Sequence, residues 1–131
     1  MLQQPKKDLS KLYIVGRPPE SVSVYNGNSQ NASLIKKLPH TMHHSQGFAW
    51  GYEGSGPADL ALNILDYIAR ESGERPNVAV WKGKVTKVAW DLHQDFKRTF
   101  VATWELRSSW VLRCDDIYGW MQVELREKEK A

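Results

Sequence analysis

Residues 48–69 read FAWGYEGSGPADLALNILDYIA, and this stretch decides the architecture of the chain. Its first half interleaves glycine with aromatic residues, a composition that is typical of a loop. A helix is predicted over residues 57–71, because Pro57 suits the first helical position and Asp59 favours the positive end of the helix dipole. Ser72–Gly73 is expected to end it. The buried face is predicted from apolar residues at helical spacing, namely Leu60, Ala61, Ile64, Leu65 and Ile68.

A second helix is predicted over residues 85–105, where the helical period returns. Charged residues on its solvent side form the pairs Lys87–Asp91 and Asp95–Arg98 at helical spacing. The opposite, buried face is predicted to consist of Val85, Val88, Ala89, Leu92, Phe96 and Phe100. A last helical turn is expected over residues 116–123, with Asp115 as its N-cap.

Short strands account for the rest of the predicted fold. They are expected at residues 11–17, 21–25, 33–38 and 110–113, because apolar runs or alternation there meet proline or Asn-Gly turn signals. Residues 77–84 are ambiguous, with 78–81 as a candidate strand. The sequence therefore predicts an α+β fold, in which a small, mainly antiparallel sheet of three to five strands packs against two main helices plus a short C-terminal helix. The expected organisation is a disordered lead-in (1–10), a single domain (11–123) and a charged tail (124–131).

The composition limits the classes of protein to which the chain can belong. It has 131 residues, of which 41% are hydrophobic and 25% charged, as expected of one globular domain rather than a disordered chain. No apolar run is long enough to span a membrane, and no segment near Met1 resembles a signal peptide, so a cytoplasmic location is expected. The single cysteine, Cys114, excludes an internal disulfide framework and a Cys-rich zinc module.

The segment from Phe48 to Leu62 also carries a family resemblance. It resembles the signature GYxGSGPAxLAL of an uncharacterised family of small prokaryotic, plasmid and phage proteins. The likeness extends upstream to His43–His44–Ser45 and downstream to Asp95–Phe96–Lys97, Trp110 and Trp120, so it covers about residues 11–122, while residues 77–84 depart from it. The resemblance implies no established activity, but it implies a small protein from a mobile element, which for a phage protein means the host cytoplasm.

The glycine-rich loop is the main candidate ligand site. Glycines let a ligand approach the backbone, and the N–H groups and dipole of the following helix favour an anion such as a phosphate. Either Ser55 or Gly56 is the expected N-cap, and an aromatic side chain could stack on a base. The candidate ligand-binding residues are Trp50, Gly51, Tyr52, Gly54, Ser55 and Gly56. The alternative is a tight turn that packs the helix closely on the sheet, since no lysine follows the last glycine, Pro57 lacks an N–H and Glu53 repels anions.

A tryptophan-rich stripe on the second helix is the candidate partner surface. The chain has six tryptophans, and indoles suit both cores and interfaces. A stripe between the buried and charged faces is predicted to present Trp90, Lys97, Val101 and Trp104 to a partner protein or to a second copy of the chain. The alternative is that this stripe packs beneath the strand at Trp110 or beneath residues 78–81.

Histidines and lysines offer weaker candidates. His40, His43 and His44 suggest a metal, but adjacent side chains on an extended segment point apart, so neither a metal nor a cofactor is predicted. His43 or His44 could instead act as a general base near Ser55. The net charge of +3 gives weak support to nucleic-acid binding, for which the candidates are Lys82, Lys84, Lys87 and Arg98.

Together these features predict a non-catalytic binding protein. Its partner is expected to be a host protein or a nucleotide-like ligand, contacted through the glycine-rich loop and the tryptophan surfaces, in a phage- or plasmid-encoded accessory or counter-defence role. The alternatives are a small enzyme acting on a phosphorylated or nucleic-acid substrate, and a weak nucleic-acid-binding protein. A homodimer is possible, and no membrane association is expected.

Overall fold

The computed structural model describes residues 8–27 and 31–130. Within them lie six strands: β1 (Leu12–Arg17), β2 (Ser21–Gly27), β3 (Ala32–Lys37), β4 (Pro76–Val80), β5 (Gly83–Thr86) and β6 (Trp110–Arg113). The helices are α1 (Ser55–Glu71), α2 (Lys87–Thr99) and α3 (Cys114–Lys130), with 3-10 turns at Leu9–Lys11 and Val101–Thr103. The predicted α+β class is confirmed.

Four of these strands form one antiparallel sheet in the order β3-β2-β1-β6. This sheet is the one that the alternating segments predicted. β4 and β5 form a separate two-stranded hairpin, which resolves the ambiguous residues 77–84. An isolated bridge between Met42 and Lys82 ties this hairpin to the loop that precedes α1.

Helix α1 lies at the centre of the domain. Every residue from Gly56 to Ala69 is buried, and α2 packs along it. A helix that is buried all round differs from the one-sided burial that the apolar spacing predicts. Three polar residues, Asp59, Asn63 and Asp66, are therefore enclosed in the domain and must bond to neighbouring backbone.

Helix α2 is shorter than the predicted span of residues 85–105. Val85 and Thr86 belong to β5, and the Thr86 hydroxyl accepts a hydrogen bond from the Ala89 amide (3.4 Å), which caps the helix. The helix ends at Thr99, and a 3-10 turn follows. The predicted buried face is confirmed at Val85, Val88, Ala89, Leu92 and Phe96, while Phe100 is only partly buried.

Helix α3 continues through the segment expected to be a charged tail. Residues 124–130 are rich in Glu, Arg and Lys, which are strong helix formers, and the Lys128 ammonium reaches Asp95 of α2 (3.3 Å). Asp115 is not the N-cap, because the helix already begins at Cys114 and Asp115 lies in its first turn.

The described start of the chain is ordered by a short turn. Residues 1–7 of the expected lead-in lie outside the described residues. Asp8 caps the turn at Leu9–Lys11, and the Leu9 side chain is buried in the core. In the part of the chain that the structure describes, none of the helices has the length and apolar character that crossing a bilayer requires.

Candidate functional site

The glycine-rich loop is fastened to the segment that follows α2. Trp50 is almost fully buried, and its indole Nε1 donates to the carbonyl oxygen of Ser108 (2.9 Å). The Gly51 amide donates to the carbonyl oxygen of Val101 (3.0 Å), with a positive φ of 90° at Gly51. The loop is therefore a fixed part of the domain, and Gly51 is placed where only glycine is unstrained.

The start of α1 is covered by the loop's own side chains. Gly54, rather than the expected Ser55 or Gly56, occupies the N-cap position, and its carbonyl accepts from the Ala58 amide (3.1 Å). A Cβ on Gly54 would lie 2.6 Å from the Tyr52 ring, and one on Gly56 would lie 2.7 Å from Ala49. The glycines thus allow close packing, which was the expected alternative to a phosphate site. Of the predicted ligand residues, only Tyr52 and Ser55 are exposed.

A cleft lies beside this loop. It encloses about 450 Å³ and is lined by Pro18, Pro19, Ala49, Trp50, Tyr52, Leu106 and Arg107. Tyr52 and Leu106 are 47% and 56% exposed, so apolar surface on both sides of the cleft is accessible. Arg107 is its charged member and has a positive φ of 65°, a strained conformation for a side chain other than glycine.

The loop before α1 is held by the buried carboxylate of Asp59. One oxygen, Oδ2, accepts from the His40 Nε2 at 2.6 Å, and the other, Oδ1, accepts from the His44 amide at 2.8 Å. The His43 amide bonds to both oxygens at 3.2–3.3 Å. Burial alone would raise the pKa of Asp59, but these hydrogen bonds outweigh it and lower that pKa below its ordinary value.

Two further polar residues of α1, Asn63 and Asp66, also bond to the backbone of neighbouring segments. Asn63 exchanges hydrogen bonds with the Thr41 backbone, accepting from its amide (2.7 Å) and donating to its carbonyl (3.0 Å). Asp66 accepts from the Thr86 amide (2.7 Å) and from Arg70 (2.7 Å). We call Asp59, Asn63 and Asp66 the polar row; it fixes the loop on one side and the hairpin on the other.

A histidine pair joins the same loop to α2. The Nε2 atoms of His44 and His93 lie 3.0 Å apart, and the Nδ1 of His93 lies 2.7 Å from the Trp90 carbonyl. Since a carbonyl only accepts, His93 donates through Nδ1, and a neutral His93 then accepts at Nε2 from His44. His43 is occupied differently, because its Nδ1 accepts from the Trp81 amide (3.2 Å).

Both histidines of this pair have a lowered pKa. Burial is the main cause at both, the nearby His43 lowers both pKa values further, and His44 lowers that of His93. Lys97 also lowers the pKa of His44, whereas the Asp59 charge opposes the shift at both. The pair is therefore built to be neutral in the folded state.

We expect the free energy of unfolding to fall as the pH drops below about 6.5, the ordinary histidine value. The unfolded chain takes up protons there while the folded pair resists them, so the buried His93 contributes a slope of up to about 1.4 kcal/mol per pH unit. The more exposed His44 contributes less, because solvent screens it. Chemical denaturation between neutral and mildly acidic pH measures this slope. The double variant His44→Gln/His93→Gln should flatten it, and an equal slope in both proteins would contradict the assignment.

The predicted partner surface does not form one exposed patch. Val101 is fully buried, and Trp104 packs against Trp110 with ring centroids 4.5 Å apart. Lys97 is mostly enclosed and pairs with Glu53 of the glycine-rich loop (3.0 Å). Trp90 is half-buried and contacts the histidines. Of this stripe, Trp104 therefore packs against the Trp110 strand, as the alternative expected, while Trp90 and Lys97 contact the loops before α1. A partner at these residues stays a prediction.

The predicted basic residues are also dispersed. Lys82 and Lys84 lie on the hairpin, while Lys87 and Arg98 lie on α2. Lys87 pairs with Asp91 (3.1 Å) and Arg98 with Asp95 (2.7 Å), which offsets their charge. The charges of Lys87 and Arg98 are therefore offset, and Lys82 and Lys84 lie on a different element, so the four residues do not form one continuous basic surface for a phosphate chain.

Nucleophile and metal chemistry have few candidates in the described residues. Cys114 is buried, and burial, with the charges of Asp115 and Glu71, raises the pKa of its thiol to about 12. Such a thiol is not a reactive nucleophile at neutral pH. Within residues 8–27 and 31–130, no group of three or more His, Cys, Asp or Glu side chains is arranged to hold a metal ion.

Comparison with known families bears on this region directly. Residues 14–77 match the family model DUF6166, a family of unknown function. The expected resemblance to an uncharacterised family is therefore confirmed over that range, which contains the glycine-rich loop and the whole polar row. Trp110 and Trp120, part of the expected closing pattern, lie outside it. No curated protein matches the chain, and no solved structure matches it.

The polar row and His93 were missed from the sequence. Asp59 was interpreted only through the helix dipole, and no bonding role was assigned to His93. A usable signal was present, because Asp59, Asn63 and Asp66 recur at helical spacing within an otherwise apolar helix. Polar residues on a helix that is otherwise buried indicate bonds to an adjacent loop.

Proposed function

We propose that this protein is a non-catalytic binding protein whose recognition site is the cleft beside the glycine-rich loop. The observation that carries this proposal is the cleft of about 450 Å³, which two of the predicted ligand residues, Trp50 and Tyr52, help to line. One wall belongs to the glycine-rich loop, which the Gly51–Val101 and Trp50–Ser108 hydrogen bonds hold to the segment after α2. A pre-formed concave site lowers the entropic cost of binding.

The cleft favours a ligand that combines a flat or apolar group with an anionic group. Pro18, Pro19 and Leu106 supply apolar contact, and the Tyr52 ring can stack on an aromatic group. Arg107 supplies a guanidinium suited to a carboxylate or phosphate. A nucleotide-like ligand or an acidic, aromatic segment of a host protein has this chemistry. A ligand would contact these side chains rather than the backbone at the start of α1, because the Tyr52 ring lies over Gly54 there.

The biological setting belongs to the proposal as well. An accessory or counter-defence protein of a phage or plasmid, acting in the host cytoplasm, is supported only by the resemblance of the segment from Phe48 to Leu62 to mobile-element proteins. A fixed loop, a concave site and a large share of aromatic side chains are compatible with such a binding role.

A small enzyme is the second candidate, and one contact favours it. His40 donates through Nε2 to the buried Asp59 (2.6 Å), which leaves its Nδ1 as an acceptor, and its side chain borders a groove with Glu20 and Phe48. Among the histidines, His40 suits the role of base better than the predicted His43 or His44, because its ring is bonded to a carboxylate, whereas the His43 Nδ1 accepts from the Trp81 amide and the His44 Nε2 pairs with His93. Turnover of a phosphorylated substrate that is lost in His40→Ala would favour this candidate over binding alone.

We expect thermal unfolding in the presence of a nucleotide panel to reveal the ligand class. A ligand at ten times its dissociation constant stabilises the fold by about 1.4 kcal/mol, or roughly 3–6 °C. Arg107→Glu and Leu106→Asp should abolish that shift, whereas Arg126→Glu, an exposed charge reversal on α3 outside the cleft, should keep it.

The controls separate the cleft from the rest of the surface. A shift that survives both cleft variants would contradict the assigned site. If no nucleotide stabilises the protein, the same variants are compared for capture of host protein, and a partner list that they leave unchanged would equally contradict it.

A further inference from the structure

The four-stranded sheet has an outer face that points away from the core. Leu12 and Ile14 of β1, and Val22 and Val24 of β2, are buried in the core. Because side chains alternate along a strand, the residues between them lie on the opposite face. We call this the outer sheet face; the argument uses Tyr13, Arg17, Tyr25, Lys37, Val111 and Arg113.

Two tyrosines lie side by side at the middle of the outer sheet face. Tyr13 is paired directly with Tyr25 across β1 and β2, so their Cβ atoms are about 5 Å apart. Both side chains are partly exposed, and the Arg17 guanidinium lies over the Tyr25 ring, 5.9 Å from its centroid. Val111, in the next row of the same face, is 62% exposed, so the face is open at the β6 edge. Paired rings on an open sheet are a platform on which planar groups can stack.

The charged side chains on the strands of this sheet are all basic. β1, β2, β3 and β6 contain no Asp or Glu. Arg113 is paired with Tyr13 in the β1–β6 register and Lys37 with Ser23 in the β2–β3 register, while Arg17 donates to the Tyr25 hydroxyl (3.3 Å). Two carboxylates lie near these basic residues: Asp115 pairs with Arg113 (3.3 Å), and Glu20 lines a groove with Lys37. Arg17, Lys37 and Arg113 outnumber them, so the balance of charge on this face is positive.

We propose that the outer sheet face binds single-stranded nucleic acid. The tyrosine pair would stack bases, and Arg17, Lys37 and Arg113 would contact phosphates, the division of roles that aromatic and basic residues have on single-strand binding surfaces. Four strands span about 14 Å, enough for two or three nucleotides. Only bases that are not stacked in a double helix can contact the tyrosine rings, so a duplex fits this face poorly. This face is separate from the proposed cleft and from the lysines of the hairpin.

Fluorescence anisotropy with a labelled short oligothymidylate, and with its oligouridylate counterpart, tests the proposal. We expect binding at about 50 mM salt that weakens steeply towards about 200 mM. Tyr13→Ala and Tyr25→Ala should each weaken it about tenfold, while Tyr13→Phe and Tyr25→Phe retain it, because phenylalanine still stacks. The double variant Arg17→Ala/Lys37→Ala should lower the salt slope by about 1.4, since each lost phosphate contact removes about 0.7.

The controls assign the binding to this face. Lys82→Ala/Lys84→Ala/Lys87→Ala removes three of the dispersed basic residues predicted from the sequence and should leave affinity nearly unchanged. Unlabelled duplex should compete poorly. The proposal is overturned if the protein does not bind at low salt or if duplex competes equally well. It is also overturned if the three lysine substitutions weaken binding and the tyrosine-to-alanine substitutions do not. If circular dichroism shows that either tyrosine-to-alanine variant does not fold, the exposed Arg17→Ala/Lys37→Ala variant tests the proposal instead. An unchanged dependence of affinity on salt in that variant would then overturn it.

Discussion

Asp59→Ala should lower the free energy of unfolding by about 3–5 kcal/mol, the usual cost of removing one partner from a buried charged network. The carboxylate is fully buried and accepts from the His40 ring and from the amides of His43 and His44. Removing it leaves these donors without an acceptor and releases the loop before α1. Thermal and chemical unfolding measure the loss, which corresponds to a melting temperature lower by roughly 10–20 °C.

Two controls identify the cause of that loss. Asp91→Ala removes a carboxylate from an exposed pair with Lys87 on α2 and should cost no more than about 0.5 kcal/mol. Asp59→Asn preserves shape and one acceptor oxygen, so its cost should lie between the two. The anchoring role is wrong if the free energy of unfolding of Asp59→Ala lies within about 1 kcal/mol of that of the unchanged protein. A difference of that size is the cost of one ordinary hydrogen bond.

Gly51→Ala should destabilise the protein by about 2–4 kcal/mol, because it combines backbone strain with overpacking. The residue has φ of 90°, and a Cβ there would lie 2.8 Å from the Cα of Leu106 and 3.0 Å from the carbonyl oxygen of Trp104. Both obstacles are backbone atoms, which cannot rotate away. Chemical denaturation measures the loss directly.

Gly119→Ala is the matched control and should have the opposite sign. Gly119 lies inside α3, and a Cβ there would meet nothing within 4 Å. Alanine is the better helix former, so this substitution should stabilise the protein by about 0.5–1 kcal/mol. Equal effects at the two glycines would contradict the packing described for the loop.

The periodic parts of the fold could be predicted from the sequence. The helix after Pro57 and the strands at residues 12–17 and 110–113 follow from apolar spacing and turn residues. The limits of α2 could not, because Val85 continues the helical apolar pattern although it pairs in β5. The apolar period along the sequence carries no information about pairing with a distant strand. At the N-terminal end of α2, pairing in the hairpin determines the structure.

The candidate site was predictable in its location but not in its construction. The spacing of glycines and aromatics indicated the loop, and Trp50 and Tyr52 do line a cleft. The sequence did not show that Tyr52 would fold over Gly54, nor that Leu106 and Arg107 would form the other wall. The second wall depends on the chain returning to the loop after α2, a long-range contact that no local pattern encodes.

Chemical-shift mapping tests the central claim, ligand recognition in the cleft, most directly. Isotope-labelled protein is titrated with the ligand that stabilises it most, and the perturbed amides are located along the chain. The account predicts that perturbations cluster at Trp50, Tyr52, Leu106 and Arg107, and that Arg107→Glu removes them. Perturbations confined to α3, or to the groove beside His40, would contradict recognition in the cleft.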